Sequence, residues 1–304
     1  MPIVYDPSGI TFGSVIEEIT SNLQGYTAAP DQVTSVATAV TTPTATEIYV
    51  DDADIAGRGL IEIGTELMWV QSVNVGANCL TILPRGRGWK GSVASTHAVG
   101  ETVVVSPAAP RYIVAREINN HIRSLYPDIY AVETVEFPYN AVSRVSWEIP
   151  EVAVAILDVR WKSINGNWER VSHWEMENSA SVIDFASGKT VRITQNIPIG
   201  ATIQVVYAVI PNELVSETDL FASTGLSGGA KDLVVLGVMA RIAPNLDVSR
   251  LSVEYVPAGE MATARPHGGA ITVAKYLEAK YAQRVAQERV KLNRLYPARI
   301  HMTR

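Results

Sequence analysis

The chain has 304 residues, is 47% hydrophobic and only 18% charged, and carries a net charge of −6. This is a globular composition with fewer charges than the usual quarter or so; it suits a chain that hides much of its surface in an assembly, although tight β packing in a monomer gives the same figures. The single cysteine, Cys79, excludes an intramolecular disulfide and a cysteine-built zinc cluster.

No apolar run approaches the roughly 18 residues of a membrane span, and the first residues lack the basic-then-apolar pattern of a signal peptide. The expectation is a soluble chain made in the cytoplasm, with no membrane partner. Charge is unevenly spread: residues 1–108 carry 4 Lys/Arg against 11 Asp/Glu (−7), residues 109–225 carry 9 against 14 (−5), and residues 226–304 carry 12 against 6 (+6). Such asymmetry suggests segments that face different partners, or one basic helix balancing two acidic β layers.

In chain order, Thr11 to Gly25 reads as a helix, with Val15, Ile16, Ile19 and Leu23 at helical spacing and Gly25 as its stop. Residues 26–45 read as linker or first strand. The runs "TEIYV", "GLIEIG", "LMWVQSV", "CLTILP" and "ETVVVSP" are short, β-branched and divided by turn residues, which predicts a small sandwich or barrel over 33–108. Arg111 to Tyr126 predicts a helix with a stripe of Ile113, Val114, Ile118, Ile122 and Leu125, stopped by Pro127. A second β unit follows, with strands in "VAVAILDVRW", "WERVSHWEM", "TVRIT" and "ATIQVVYAVI".

Lys231 to Ala243 is apolar nearly all round and predicts a buried helix ended by Pro244. A short pattern over 246–255 and a Pro/Gly-rich loop precede a long helix, Ile271 to Leu295, with a stripe of Ala274, Leu277, Tyr281, Val285, Leu292 and Leu295. The first two helices, at about 14–16 residues, are marginal alone and need a packing surface. The expected fold is α+β. A small helical bundle is built from 1–25, 109–127 and 226–304, and two antiparallel, sandwich- or barrel-like β units are inserted at 33–108 and 128–225.

Gly86, Gly88 and Gly91 in "PRGRGWKGS" match G-x-G-x-x-G, but a dinucleotide site needs a helix directly after the glycines. Only nine residues, Ser92 to Gly100, separate them from the next strand-like run, so a β turn is the better reading and no cofactor is expected. The histidines His97, His121, His173, His267 and His301 lack metal-ligand spacing, and Asp51, Asp52 and Asp54 lack the later glycine and glutamate of a calcium loop. No G-x-S-x-G elbow is present. No catalytic or metal set is therefore legible, and the expectation is that the chain is not an enzyme.

Two other features stand out. Trp147, Trp161, Trp168 and Trp174 lie close in sequence and read as core or interface anchors of the second β unit, or as an aromatic platform. The last helix carries Lys275, Lys280, Arg284, Arg289, Lys291 and Arg294, followed by Arg299 and Arg304, against Glu278 and Glu288. That face reads as a solvated surface, a partner for acidic neighbours in an oligomer, or a contact for phosphate backbone.

"IEIGTELMWVQSV…LTILPRGRGWKGSVASTHAVGETV" resembles a β module of tailed-bacteriophage virion proteins, in which an "I-x-x-E-x-M/I-x-V" strand precedes "RG-x-x-G-T/S-x-A-x-x-H-x-x-G". Arg85, Gly86, Gly91, Ser92, Ala94, His97 and Gly100 stand at the motif positions, with Gly88 in the same turn and Ser92 replacing the commoner threonine. The element order from "YIVAREINNHIRSLYPDIY" to "VKLNRLYP" resembles head-to-tail adaptor (neck, connector) proteins. The resemblance implies a structural virion protein located in the neck between capsid and tail. It would form a ring of about twelve subunits that binds portal and tail proteins and lines the DNA exit channel, with the basic helix 275–294 docking on an acidic portal edge or making at most non-specific contact to double-stranded DNA. The β module also occurs in tail fibres and baseplates, which implies as the alternative a tail-tip protein that recognises host glycans.

Overall fold

The computed structural model describes residues 9–27, 30–140, 145–251 and 269–297. The chain is α+β, with four helices and three antiparallel sheets among the described residues. His267, His301, Arg299, Arg304 and most of the Pro/Gly-rich loop lie outside them.

Helix α1 spans Phe12–Gln24, capped by the Thr11 hydroxyl, which accepts the Ser14 N–H at 3.2 Å, and followed by Gly25. Phe12, Val15, Ile16, Ile19 and Leu23 are buried on its inner face. Helix α2 (Arg111–Ser124) buries Val114, Ile118, His121 and Ile122. Helices α3 (Lys231–Leu251) and α4 (Gly269–Leu295) pack on each other, and α3 also contacts α1 and α2.

Side chains from all four helices form a single apolar core that includes Ile16, Ile118, Leu233, Val238 and Leu277. At about 1.5–3 kcal/mol for each fully buried aliphatic side chain, this shared burial supplies the packing surface that the short first helices need.

Pro244 does not end α3, contrary to expectation; the helix continues through it to Leu251. Proline deprives the Ala240 carbonyl of its donor, at a cost of about 3 kcal/mol. Ala243 and Leu246, 2% and 7% exposed on either side of it, keep the next turn pressed into the core.

The first β unit is one six-stranded antiparallel sheet. Its strands are β1 (Gln32–Ser35), β2 (Glu47–Tyr49), β3 (Gly59–Ile63), β4 (Glu66–Asn74), β5 (Cys79–Ile82) and β6 (Thr102–Val105), in the order β1-β6-β3-β4-β5-β2. The sheet curls around Ile48, Ile61, Ile63, Met68, Leu80 and Val103. Its two ends touch through one bridge, Val36 to Val50, and stop short of a closed barrel.

The second unit places a four-stranded sheet over a three-stranded one. The larger has the order β10 (Trp168–Arg170), β9 (Ala153–Lys162), β13 (Thr202–Val209), β7 (Ala131–Pro138). The smaller is β11 (Trp174–Glu177), β12 (Thr190–Ile193), β8 (Ser146–Glu148). Both contribute to one core, with Val159, Ile203, Val205 and Tyr207 from one side and Trp147, Val191 and Ile193 from the other. The run "WERVSHWEM" is therefore not one strand: after Trp168–Arg170 the chain buries Val171, turns at Ser172–His173 and crosses to the other sheet.

His121 is a buried polar group at the centre of the helices, 2% exposed. Neither ring nitrogen meets a partner in hydrogen-bond geometry, and the nearby Leu233 carbonyl only partly compensates. Burial, then the Arg241 charge, holds the imidazole down to about 4 and so neutral. The ring stands edge-on to Tyr281 of α4, centroids 5.1 Å apart, and lies against Gly237 of α3, where a Cβ would run into it. Gly237 thus sets how closely α2 and α3 approach. Gly237→Ala is expected to destabilise the protein by about 1–3 kcal/mol through overpacking, and by much less in a His121→Ala background. Urea unfolding of the two single variants and the double checks this; equal losses in both backgrounds would show that the ring is not the obstacle.

Candidate functional site

The module motif folds into one buried polar network. Glu66, the first residue of β4, has a fully buried side chain. Arg87 approaches it in a bidentate fork, Nε to Oε1 at 2.7 Å and Nη2 to Oε2 at 2.9 Å. The Gly88 N–H donates to Oε1 at 3.1 Å and the Ser95 N–H to Oε2 at 2.9 Å. His97, 4% exposed, faces Glu66 Oε2 through Nε2 and Glu101 Oε2 through Nδ1, each at 2.9 Å. Arg87 uses its remaining hydrogens on the Thr42, Ala45 and Ser95 carbonyls.

Burial pushes the Glu66 carboxyl up, but Arg87, the Ser95 N–H, His97 and the Gly88 N–H outweigh it and hold the group below its ordinary value. A fork to an ionised carboxylate is among the stronger hydrogen-bonded pairings. Here it ties together β4, the glycine turn, the Thr42–Ala45 segment and Ser95.

The glycines serve this turn in two ways. Gly88 (φ +59°), Gly91 (φ +93°) and Gly100 (φ +85°) take left-handed conformations open to glycine. Gly86 has another reason: a Cβ there would sit 2.8 Å from the Leu83 carbonyl and 2.9 Å from that of Trp69. After Gly91 the chain runs through Ser92, whose hydroxyl accepts the Leu67 N–H at 2.9 Å, with no helix before β6.

Arg85, singled out by the motif, is exposed and itself in the left-handed region (φ +64°). The arginine that reaches the carboxylate is Arg87, two residues later. Nothing in the motif marks out Arg87, and Glu66 is legible only as the E of "I-x-x-E". Ser95 Oγ lies 3.5 Å from His97 Nε2, but that nitrogen is closer to Glu66, at 2.9 Å. The trio therefore does not present a base to a nucleophile.

The tryptophans occupy different settings. Trp147 is a core residue, stacked on Tyr139 and Phe137 with centroids 4.8 and 5.9 Å away. Trp161 and Trp174 are half-buried against the same core, and Trp168 is the exposed one, with Lys162 Nζ 5.9 Å from its ring.

On α4, Glu288 is buried and takes both Arg284 Nη1 (2.8 Å) and Lys291 Nζ (2.7 Å). Arg284 also donates to the Gly229 carbonyl, and Arg289 pairs with Asp128 at 3.3 Å. Lys275, Lys280 and Arg294 are exposed without a carboxylate partner among the described residues. His173 and Asp51, Asp52 and Asp54 are also exposed.

Where the first β unit meets the helices, Glu62 is 2% exposed and accepts the Arg111 N–H at the start of α2 at 2.9 Å. Around it, Asp31 accepts the Ala108 N–H, Arg111 reaches Glu217 and Glu17, and the Tyr112 hydroxyl donates to the Gly91 carbonyl at 2.9 Å. Desolvation, reinforced by Asp31 and Glu217, outweighs the Arg111 contacts and raises the Glu62 carboxyl to about 7.

Among the described residues no group of three or more His, Cys, Asp or Glu is placed to hold a metal ion, and no helix is long and apolar enough to cross a membrane. No known protein family and no curated protein matches the chain.

Two outcomes follow from this geometry. Glu66→Gln removes a charge that Arg87 depends on inside the fold, and Arg87→Lys cannot reproduce the fork. Each is expected to cost on the order of 3–5 kcal/mol, whereas Arg85→Gly, which relieves a left-handed arginine, should stay within about 1 kcal/mol or stabilise. Denaturant melts of the three variants compare them directly.

Glu62 gives a pH signature of opposite origin. Its folded value is raised, so its contribution is intact below about 4.5 and lost as pH rises through about 7. Glu62→Gln should therefore stabilise the protein by up to about 3 kcal/mol at pH 8 and by little at pH 4.5. Thermal melts at the two pH values test the sign.

Proposed function

We propose that the chain is a structural virion subunit of a tailed bacteriophage, a head-to-tail adaptor that forms a ring between portal and tail around the DNA exit channel, with no chemical step. The observation that supports this best is the architecture of the core. Helices from the beginning, middle and end of the chain share one apolar interior, and the two β units leave and re-enter it between them. A compact helical body of this kind, read as a bundle, can line a ring while its β appendages meet different neighbours above, below or outside.

The module network adds to this reading. Its charged groups are consumed in holding the turn, which fits a building block whose motif specifies shape. The basic residues of α4 are taken as a docking surface, because a lumen that gripped DNA tightly would hinder its exit. The tail-tip reading calls for several tryptophans on one open face, whereas Trp147 lies in the core.

The test is to purify the full chain, measure its native mass with and without the portal protein, and locate it by electron microscopy in the intact particle. A closed ring at the neck is the expected result. A chain that remains monomeric under all these conditions and is absent from virions would overturn the proposal.

A further inference from the structure

The outward face of α4 mixes apolar and small side chains with basic and amide ones, and nothing in the described chain covers it. Its inner face, with Ala274 and Leu277, packs into the helical core. The opposite side exposes Tyr276 (57%), with Lys280 Nζ 5.6 Å from its ring, and Val290 (48%), with Ala279, Gln283 and Ala286 between them. Lys275, Lys280 and Arg294 flank this strip without a carboxylate partner among the described residues. Two copies cannot join α4 to α4 without setting these like charges against each other, which disfavours the symmetric dimer.

The chain carries a complementary surface elsewhere. Along the outer edge of the first β unit, Glu47 on β2 and Asp51, Asp52 and Asp54 just after it are all exposed, beside the half-exposed Tyr49. Among the described residues none of the four has an ion-pair partner; Glu47 accepts the Tyr49 hydroxyl, Asp51 the Ser35 hydroxyl and Asp52 the Asp54 N–H. The imbalance is the local form of the segment charges, −7 for 1–108 and +6 for 226–304.

We propose that the outer face of α4 docks on the Glu47–Asp54 edge of a second copy of this chain. The contact joins two different surfaces, so each copy offers one of each to its neighbours. Repetition then closes a ring when the rotation permits. This rests on the adaptor reading and names the surfaces by which its subunits meet.

Two full-length variants test it: Lys280→Glu/Arg294→Glu, and Glu47→Lys/Asp54→Lys. All four positions are at the surface, and circular dichroism and melting temperature confirm that both variants fold. Each alone sets like charges against each other at the contact and should self-associate at least about tenfold more weakly than wild type by native mass and sedimentation. Mixed in equal amounts, the two should recover assembly, because each then supplies the charge the other needs.

Unimpaired assembly of either variant alone, or no recovery by the mixture of folded variants, overturns this contact and leaves the ring intact as a proposal. A face that retains duplex DNA in wild type and loses it in the α4 variant, with assembly unchanged, also overturns it. Wild type that stays monomeric at every concentration, with and without portal, overturns the ring reading itself.

Discussion

Burial of the inner faces of α1 and α2 against α3 is the constraint from which the rest of the architecture follows. Neither short helix is stable in isolation, and their stripes are separated in the chain by a whole β unit. Both must therefore return to the same surface of α3, and the chain between them must leave and come back at nearly the same place. That requirement makes the first β unit an excursion with both ends near the helices. Its exit and entry are held by polar contacts on Asp31, Glu62 and Arg111. The second unit is tied in the same way: Asn119 of α2 exchanges two hydrogen bonds with Leu214, and Phe12 and Gly13 of α1 donate to the Asp219 and Glu217 carbonyls.

Each β unit meets the problem of a small core differently. The second encloses its apolar side chains between two sheets, and the central strand β13 is buried on both faces, with Val206 and Ala208 as inaccessible as Val205 and Tyr207. The first has only one curled sheet, and a long connection between β5 and β6, with a single 3-10 turn at Trp89–Gly91 and one bridge at His97, has to be held over it. Backbone groups in such a connection need partners as much as those in a strand do. Glu66 provides two of them, accepting the Gly88 and Ser95 N–H groups. A carboxylate accepts from many directions, and here its two oxygens collect an arginine fork, two backbone N–H groups and an imidazole. A neutral side chain at that position accepts fewer bonds and leaves Arg87 without its counter-ion.

Two buried titratable groups mark the places where units meet. His121, between α2, α3 and α4, is kept neutral by burial, and Glu62, between the first β unit and α2, is raised toward neutrality by the same cause. The fold thus holds an uncharged histidine and a carboxyl raised to about 7 at its internal seams, while the unpaired charges of the Glu47–Asp54 edge and of α4 lie on outward surfaces among the described residues.

The helices, both β units and most strands were legible in the sequence, because apolar spacing and turn residues report local structure directly. Thr11, Gly25 and the stripe of Val15, Ile16, Ile19 and Leu23 delimit α1 within a residue. Pro244 and "WERVSHWEM" misled for a common reason: core packing carries α3 through its proline and splits one strand-like run between two sheets, and packing is not a property of a short window. The short stretch from Ser92 to Gly100 left no room for a helix after the glycines, and the structure has none between Gly91 and β6. Which arginine turns inward depends on backbone direction at Arg85 and Arg87, and the pairing with Glu66 joins residues 21 positions apart. By itself the sequence determined the helices, most of the strands, their order and the charge of each segment, which are local or additive quantities. Only the tertiary structure decided that Glu66, Arg87 and His97 form one network, that Gly237 makes room for His121, and that nothing among the described residues covers the outer face of α4, because each of these is a relation between distant segments.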